Sequence, residues 1–318
     1  MSTLLEQLAN GLVLGGTIAL IAIGYTMVYG IIQLINFAHG EVFMVGAYGA
    51  LFAFTWWFPK GIVDWYVTLP VMLLIGIGVS VLVAVLMERF AYRPLRNAPR
   101  LAPLITALGV SVFLQEFVRL YYHCPGQNGR PPEHCATSAL GYPEEFVKGG
   151  LRVGIGNGFT IPYSGLLVIG VSLTLAIALQ TYVSRSRMGR AMRATSADPD
   201  TARLMGVNPD RTIVITFVIG GALAGVAGVL FGVKSNFVTT DMGFLYGIFA
   251  FTAAVLGGIG SIKGAVVGGF AIGLIKNLSG QYLPGGTAYD LVWIFIVLIV
   301  VLVFRPQGFF GESERVRA

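Results

Sequence analysis

Charge is what this sequence lacks most. Only 11% of its 318 residues are Asp, Glu, Lys or Arg, and 55% are hydrophobic. A water-soluble domain carries about 25% charged residues to wet its surface. So few charges on so long a chain exclude a soluble fold, and lipid is the expected surrounding. Histidine numbers 3, too few for a proton relay, which needs several acids or histidines along the spans. A Gly-Lys dipeptide is missing altogether, since the lysines follow Pro59, Val147, Val233, Ile262 and Ile275. A phosphate-cradling P-loop needs that dipeptide, and no polar stretch is long enough for an ATPase domain. The spans hold no nucleophile–base pair and no metal set. No cofactor and no metal are therefore expected, and any ATP hydrolysis must come from another chain. Met1–Asn10 holds no Lys or Arg, and its apolar stretch runs on into more apolar sequence. No cleavable signal peptide is expected there.

Glycine, by contrast, is abundant, with 43 of 318 residues, about twice the usual share. The glycines sit among Leu, Val, Ile and Phe, which excludes disorder. Small residues let helices approach closely in a membrane. Gly221 and Gly225, Gly228 and Gly232, Gly264 and Gly268, and Gly269 and Gly273 are each four apart, the spacing of one helix face.

About nine apolar segments approach the ~20 residues needed to cross a bilayer. They cover roughly 8–30, 36–58, 67–87, 102–122, 162–183, 212–233, 245–262, 264–281 and 289–304. The expected fold is all-α, a polytopic bundle of about eight or nine spans, with broken or re-entrant segments and an internal repeat. The 245–281 region reads as two short or broken helices, because Gly257, Gly258, Gly260 and Lys263 leave little room for a turn. The net charge of +6 does not point to nucleic acid, because the arginines are grouped between apolar spans. Arg89, Arg93, Arg96 and Arg100 form one group. Arg185, Arg187, Arg190, Arg193, Arg203 and Arg211 form another, and Arg305, Arg315 and Arg317 a third. The positive-inside rule places all three on the cytoplasmic side.

That orientation puts 123–161 outside. Both cysteines, Cys124 and Cys135, fall in this loop. Three readings are open: a disulfide, free thiols, or a metal site shared with His123 and His134. The outer compartment is oxidising, which suits a disulfide. The adjacent His-Cys pairs are poorly placed to be four tetrahedral ligands.

Two polar segments stand out elsewhere. Gln33–Glu41 interrupts the long apolar stretch from Leu8 to Phe58. Asn36 suits a helix N-cap and Gly40 weakens a helix. A helix is expected to end near Ile35 and another to start at Asn36. His39, Gly40 and Glu41 then either line a pathway or packing switch, or make a wet turn at the interface. Glu116 and Arg119 are spaced to pair on one helix face, and Lys276 lies near a span end, where a lysine snorkels.

The segment Met188–Asp210 reads as two cytoplasmic helices. The second is capped by Ser196 or Asp198, has Pro199 at its first position, and runs to Met205. Gly206 closes it. Ala202, Met205 and Val207 are expected to project from charged surroundings. This pattern suits docking into a groove on another protein; an ordered loop that only satisfies the charge bias is the plainer alternative.

These motifs resemble the branched-chain amino-acid ABC transporter permeases of the LivH type. Asn36-Phe-Ala-His-Gly-Glu41 with Gly46-Ala-Tyr48 is similar to their first-half signature. Tyr92-Arg-Pro-Leu-Arg96 and Leu101-Ala-Pro-Leu-Ile105 resemble the loop between their third and fourth spans. Gly189-Arg-Ala-Met-Arg-Ala194 with Ala202-Arg-Leu-Met-Gly206 resembles their cytoplasmic coupling segment. Ala253–Gly264 and Arg305-Pro-Gln-Gly308 complete the pattern. The resemblance covers nearly the whole chain in order. The sister permease typically shows a Gly-His-Ala-type sequence where this chain has Phe37-Ala-His-Gly40. The cysteine-bearing outer loop is longer than the family pattern.

The resemblance implies a single permease domain over 1–318, with 123–161 as outer loop and 184–211 as coupling segment. It implies half of a pathway for branched-chain or related hydrophobic amino acids in a bacterial inner membrane. Implied partners are a sister permease, two cytoplasmic ATPase subunits and a periplasmic substrate-binding protein. Arg190, Arg193, Asp198, Pro199, Ala202, Met205 and Gly206 would couple to the ATPases, and Asn36, His39, Gly40 and Glu41 would line the pathway or break the helix. A urea or short-chain amide importer carries nearly the same motifs. A standalone secondary transporter or channel is the alternative from another class, and a membrane enzyme has no residue set to support it.

Overall fold

Inside hydrocarbon a backbone amide has no water to bond, so the chain must satisfy its own polar groups within helices. The computed structural model follows that rule. It describes residues 2–34, 36–57, 65–96, 98–99, 101–121, 140–142, 149–153, 159–305 and 307–311. Cys124, Cys135, His123 and His134 lie outside the described residues.

The helices are α1 (Ser2–Ile32), α2 (His39–Trp57), α3 (Trp65–Met87), α4 (Leu101–Tyr121), α5 (Tyr163–Arg185) and α6 (Arg187–Ala197). They continue with α7 (Pro199–Leu204), α8 (Pro209–Ser235), α9 (Met242–Gly257), α10 (Ile262–Tyr282) and α11 (Asp290–Phe304). Among the described residues, seven helices are long and apolar enough to cross a membrane. This is a multi-pass, all-α membrane protein. Each of the nine apolar segments read from the sequence coincides with a helix. α9 has 16 residues, about 24 Å at 1.5 Å per residue, short of the ~30 Å hydrocarbon core. The turn after it uses Gly258 and Gly260, with φ of 103° and 96°, a left-handed conformation that glycine adopts without strain.

Four short strands accompany the helices. β1 (Leu140–Gly141) pairs antiparallel with β4 (Phe237–Val238), and β2 (Gly150–Val153) with β3 (Phe159–Pro162). The chain divides into two compact units. One comprises 1–33, 149–213 and 249–318, and the other 34–148 and 214–248.

In the first unit, α10 packs along α1 through bare backbone. A Cβ added to Gly269 or Gly273 would sit within 3 Å of Ala19 or Gly15, and one on Gly15 would sit 2.7 Å from the Phe270 Cα. The last residues of α9 and the start of α10 pack equally closely, through Gly257 against Gly264 and Gly268 against Ala253. The final carbonyls of a helix need outside donors. For α9 they come from the chain after α11: Phe309 N–H donates to Leu256 O at 3.0 Å and Phe310 N–H to Gly257 O at 2.9 Å. Near the other end of α10, Lys276 pairs with Asp290 Oδ2 at 3.1 Å and stands 5.8 Å from the Phe249 ring centre. The expected snorkelling of Lys276 is therefore corrected. A carboxylate at the start of α11 holds the ammonium, which is cheaper than stretching to water.

In the second unit, α8 carries the same pattern. Gly225 lies against Gly76 O and the Ile77 Cα of α3, each 2.8 Å from an added Cβ, and Gly221 lies 2.8 Å from the Ala84 Cβ. Gly228 meets Phe43 O, and Gly232 meets the Tyr142 ring. All eight glycines of the fourfold spacing thus sit where a side chain would collide.

Overpacking a core costs about 1–3 kcal/mol when side chains can yield. At Gly273 the obstacle is backbone, so Gly273→Val should cost about 3 kcal/mol or more and remove most folded protein from detergent extracts. Gly170, where nothing lies within 4 Å, is the control. Gly170→Ala should leave the melting temperature unchanged or raised, as read by fluorescence-detected size exclusion after heating.

Candidate coupling segment and intramembrane polar cluster

After α5, three helices follow one another, α6, α7 and α8, each with its own cap. Ser186 Oγ accepts the Gly189 N–H at 2.9 Å to start α6. Asp198 starts α7: its Oδ1 accepts the Asp200 N–H at 2.9 Å and its Oδ2 accepts the Thr201 hydroxyl. Asn208 Oδ1 accepts the Arg211 N–H at 3.1 Å at the start of α8. Pro199 and Pro209 stand at the first helical positions of α7 and α8, where the missing N–H costs nothing. Gly206, at φ 81°, closes α7. The Val207 N–H reaches Ala202 O at 3.0 Å and the Gly206 N–H reaches Arg203 O at 3.0 Å. A six-residue helix stopped at both ends leaves little freedom for this turn to bend.

Of the two candidate caps, Asp198 is the one used. Ser196 Oγ instead bonds back to Arg193 O at 2.9 Å. Two side-chain expectations need correction. Ala202 does not project; it is only 3% exposed and faces inward. α7 ends at Leu204, one residue early, and Leu204 joins Met205 as the protruding pair, at 88% and 80% exposed. Leu204 was hidden from periodicity because a single helical turn has no reliable face. Val207 is half-buried. Arg190 is exposed, and Arg193 folds back so that its guanidinium donates to Val183 O near the end of α5. Gly189 allows this close return, since a Cβ there would strike the Val183 carbonyl. Together Arg193, Gly189 and buried Met192 tie α6 to α5.

The second cluster begins where α1 stops. Gln33 has φ 55° and its N–H bonds Tyr29 O at 2.7 Å. The next helix starts three residues later than expected, at His39. Asn36 supplies a carbonyl to the His39 N–H at 3.1 Å, and its side chain does not cap. Its Oδ1 accepts the Tyr92 hydroxyl at 2.9 Å instead. Tyr92 lies in a π-helical turn, Glu88–Tyr92, that continues α3, the kind of helix irregularity that marks functional positions. Its ring packs 5.5 Å from Phe217. Beside it, Glu88 pairs with Arg96.

Asn36, His39 and Glu41 are all buried, Glu41 completely. Burial within the protein removes the wet interface turn as a description of these three side chains. Gly40 lies against Gly243 O and the Gly247 Cα of α9. That contact brings Glu41 beside the first turn of α9, where its carboxylate adjoins Gly243. Helix N-termini favour negative charge. From α4, Ser111 Oγ and Gln115 Nε2 both donate to Glu41 Oε1 at 2.9 Å. One carboxylate therefore joins α2, α4 and the start of α9 inside this unit. Sequence reading named Tyr92 only as the start of a family motif and missed its bond to Asn36, and it missed Ser111 and Gln115 altogether; the three are 56, 70 and 74 residues from their partners. Polar residues in otherwise apolar spans were the available signal for Ser111 and Gln115. Among the described residues no three His, Cys, Asp or Glu gather as a metal set.

The Thr201 hydroxyl and the Thr201 and Asp200 amides hold the Asp198 carboxyl below the usual carboxylate range. A depressed folded value means that the cap is fully present above the unfolded value, near pH 4, and is lost as pH falls through the folded one. Amide-exchange protection of residues 200–204 should stay constant from neutrality to about pH 4 and drop only below it. In Asp198→Asn the acid-dependent drop should vanish, which hydrogen-exchange mass spectrometry measures.

Residues 7–302 match the family described as the permease component of branched-chain amino acid transport systems. The chain is 45% identical over 314 residues to the high-affinity branched-chain amino acid transport system permease protein BraD of Pseudomonas aeruginosa, covering 98% of this chain and 96% of that one. It is 44% identical over 312 residues to the corresponding protein LivH of Escherichia coli K12, with the same coverage. A weaker likeness, 27% over 143 residues, extends to the E. coli permease protein LivM, across 45% of this chain and 33% of that one. With the helical architecture, these matches place the chain in one family: it belongs to the branched-chain amino acid transport permeases.

Proposed function

We propose that this chain is one of two permease subunits of an ATP-binding-cassette importer in a bacterial inner membrane. It forms half of a translocation pathway for branched-chain amino acids. The full-length similarity to BraD and LivH supports that substrate over urea or short-chain amides. The partial similarity to LivM supports a sister permease built on the same plan. Two ATPase subunits and a periplasmic substrate-binding protein complete the assembly. The chain itself catalyses no reaction; it offers a route.

The observation that carries this reading is α7. Leu204 at its end and Met205 just after it are large, apolar and almost fully exposed. Solvation disfavours such a pair on a surface unless another protein covers it. The caps at Asp198 and Gly206 fix where the pair points. A push on it passes through α6, which Arg193 ties to α5. The arginines of 184–211 set this segment on the cytoplasmic side, where ATP is. Closure of the ATPases moves the segment, and the two permeases switch between inward-open and outward-open. Glu41, bonded from α4 and seated against α9, serves as a packing node of that switch.

Co-expression with both ATPases and the sister permease tests the docking role. Leu204→Asp with Met205→Asp should cut ATPase co-purification and amino-acid uptake by about tenfold or more, the loss of a buried apolar anchor. Membrane levels should be unchanged, because neither side chain is packed inside the chain. Gly206→Val has open space around it but requires a β-branched residue at positive φ. It should leave ATPase activity running without matching uptake. Normal uptake in both variants would reject α7 as the docking element.

A further inference from the structure

The first unit carries one further feature. Between α5 and α10 runs an open groove of about 310 Å³. Leu173, Ala176 and Ile177 form one wall, and Val266 and Val267 the other. Both helices are apolar enough to span a membrane, so these walls face hydrocarbon depth. The groove changes character at one end, where Gln180 and Thr181 on α5 meet Lys263 on α10. Lys263 is exposed and forms no ion pair among the described residues. α5 continues from Thr181 directly into the basic coupling segment, so this end lies at the inner membrane face, given the orientation proposed above.

We propose that this groove binds an anionic phospholipid of the inner leaflet. One acyl chain lies between the aliphatic walls, and the headgroup phosphate rests on Lys263. The choice of occupant follows from the order of the chemistry along the groove: aliphatic at depth, amide and hydroxyl next, and a single cation at the interface. That is the sequence of groups along a phospholipid read from tail to head. An unpaired lysine at the edge of an anionic leaflet attracts acidic lipids by an amount worth about fivefold in occupancy. A protein ridge filling the same groove would need an acidic side chain at one depth and a bare aliphatic stripe at the others.

The test uses the full-length chain, purified in mild detergent from nanodiscs of phosphatidylcholine mixed equally with phosphatidylglycerol. Native mass spectrometry reads the lipids that stay bound. The wild type should retain phosphatidylglycerol about fivefold over phosphatidylcholine. Lys263→Gln should keep a bound lipid but lose the preference, and Lys263→Arg should restore it. Val267→Trp, which fills the groove from its exposed edge, should lose the retained lipid without lowering the melting temperature. Equal retention of the two lipids by the wild type, or an undiminished preference in Lys263→Gln, would overturn the proposal. So would retention unchanged by Val267→Trp. In the co-expressed complex, a photo-crosslinker at position 267 should capture lipid; capture of the sister permease would equally overturn it. None of these readouts depends on uptake, so a failed transport assignment and an absent lipid are told apart.

Discussion

Helices in hydrocarbon gain nothing from leaving it, so they associate only as closely as their surfaces permit. Bare backbone against bare backbone is therefore the contact on which this protein rests. Gly15 with Gly273 and Ala19 with Gly269 bring α1 and α10 together. Gly46, Gly76 and Gly225 do the same for α2, α3 and α8. At such separations dispersion contacts along the whole length of a helix replace the missing hydrophobic drive. The abundance of glycine is the chemical consequence, and α1, with no polar face to speak of, is buried along its most apolar stretch.

Close packing in turn sets the terms for every polar side chain inside. A buried ionisable group is expensive in lipid unless another group meets it. Four polar side chains, buried or half-buried, are met by different routes. Glu41 takes two donors from α4. Lys276 takes Asp290 across the turn into α11. Glu88 takes Arg96 just past a π-helical turn. Asn36 takes the Tyr92 hydroxyl. Removing one member of such a pair leaves an uncompensated group, which costs more than the pair contributes. The links from Asn36 to Tyr92 and from Glu41 to Ser111 and Gln115 join helices distant in sequence.

Much of this was legible in the chain. Apolar runs located nine helices, with ends off by up to about six residues, because span length is a physical constraint and not a preference. The caps of α7 were legible because Asp-Pro and a closing glycine act locally. The glycine spacing announced close packing, though not which helices meet. What stayed hidden was non-local. Nothing near Asn36 points to Tyr92, and nothing near Glu41 points to Ser111 or Gln115. The same blindness misplaced the start of α2, since Asn36 looks like a cap until a distant tyrosine claims its side chain. It also misread Lys276, whose partner lies beyond a turn, and Ala202, whose burial depends on the neighbours of a one-turn helix.

Function enters where packing is left incomplete. Leu204 and Met205 stand out, exposed at 88% and 80%, on a short capped segment among charged residues. The proposed docking puts this pair on the inner side, under a motor subunit. A cysteine at position 205, in a chain whose Cys124 and Cys135 are replaced by serine, measures it through reaction with a membrane-impermeant maleimide. The expected result is no labelling in intact cells, rapid labelling in inside-out vesicles holding the permeases alone, and protection once the ATPase subunits are bound. Labelling from outside intact cells, or equal labelling with and without the ATPases, would contradict it.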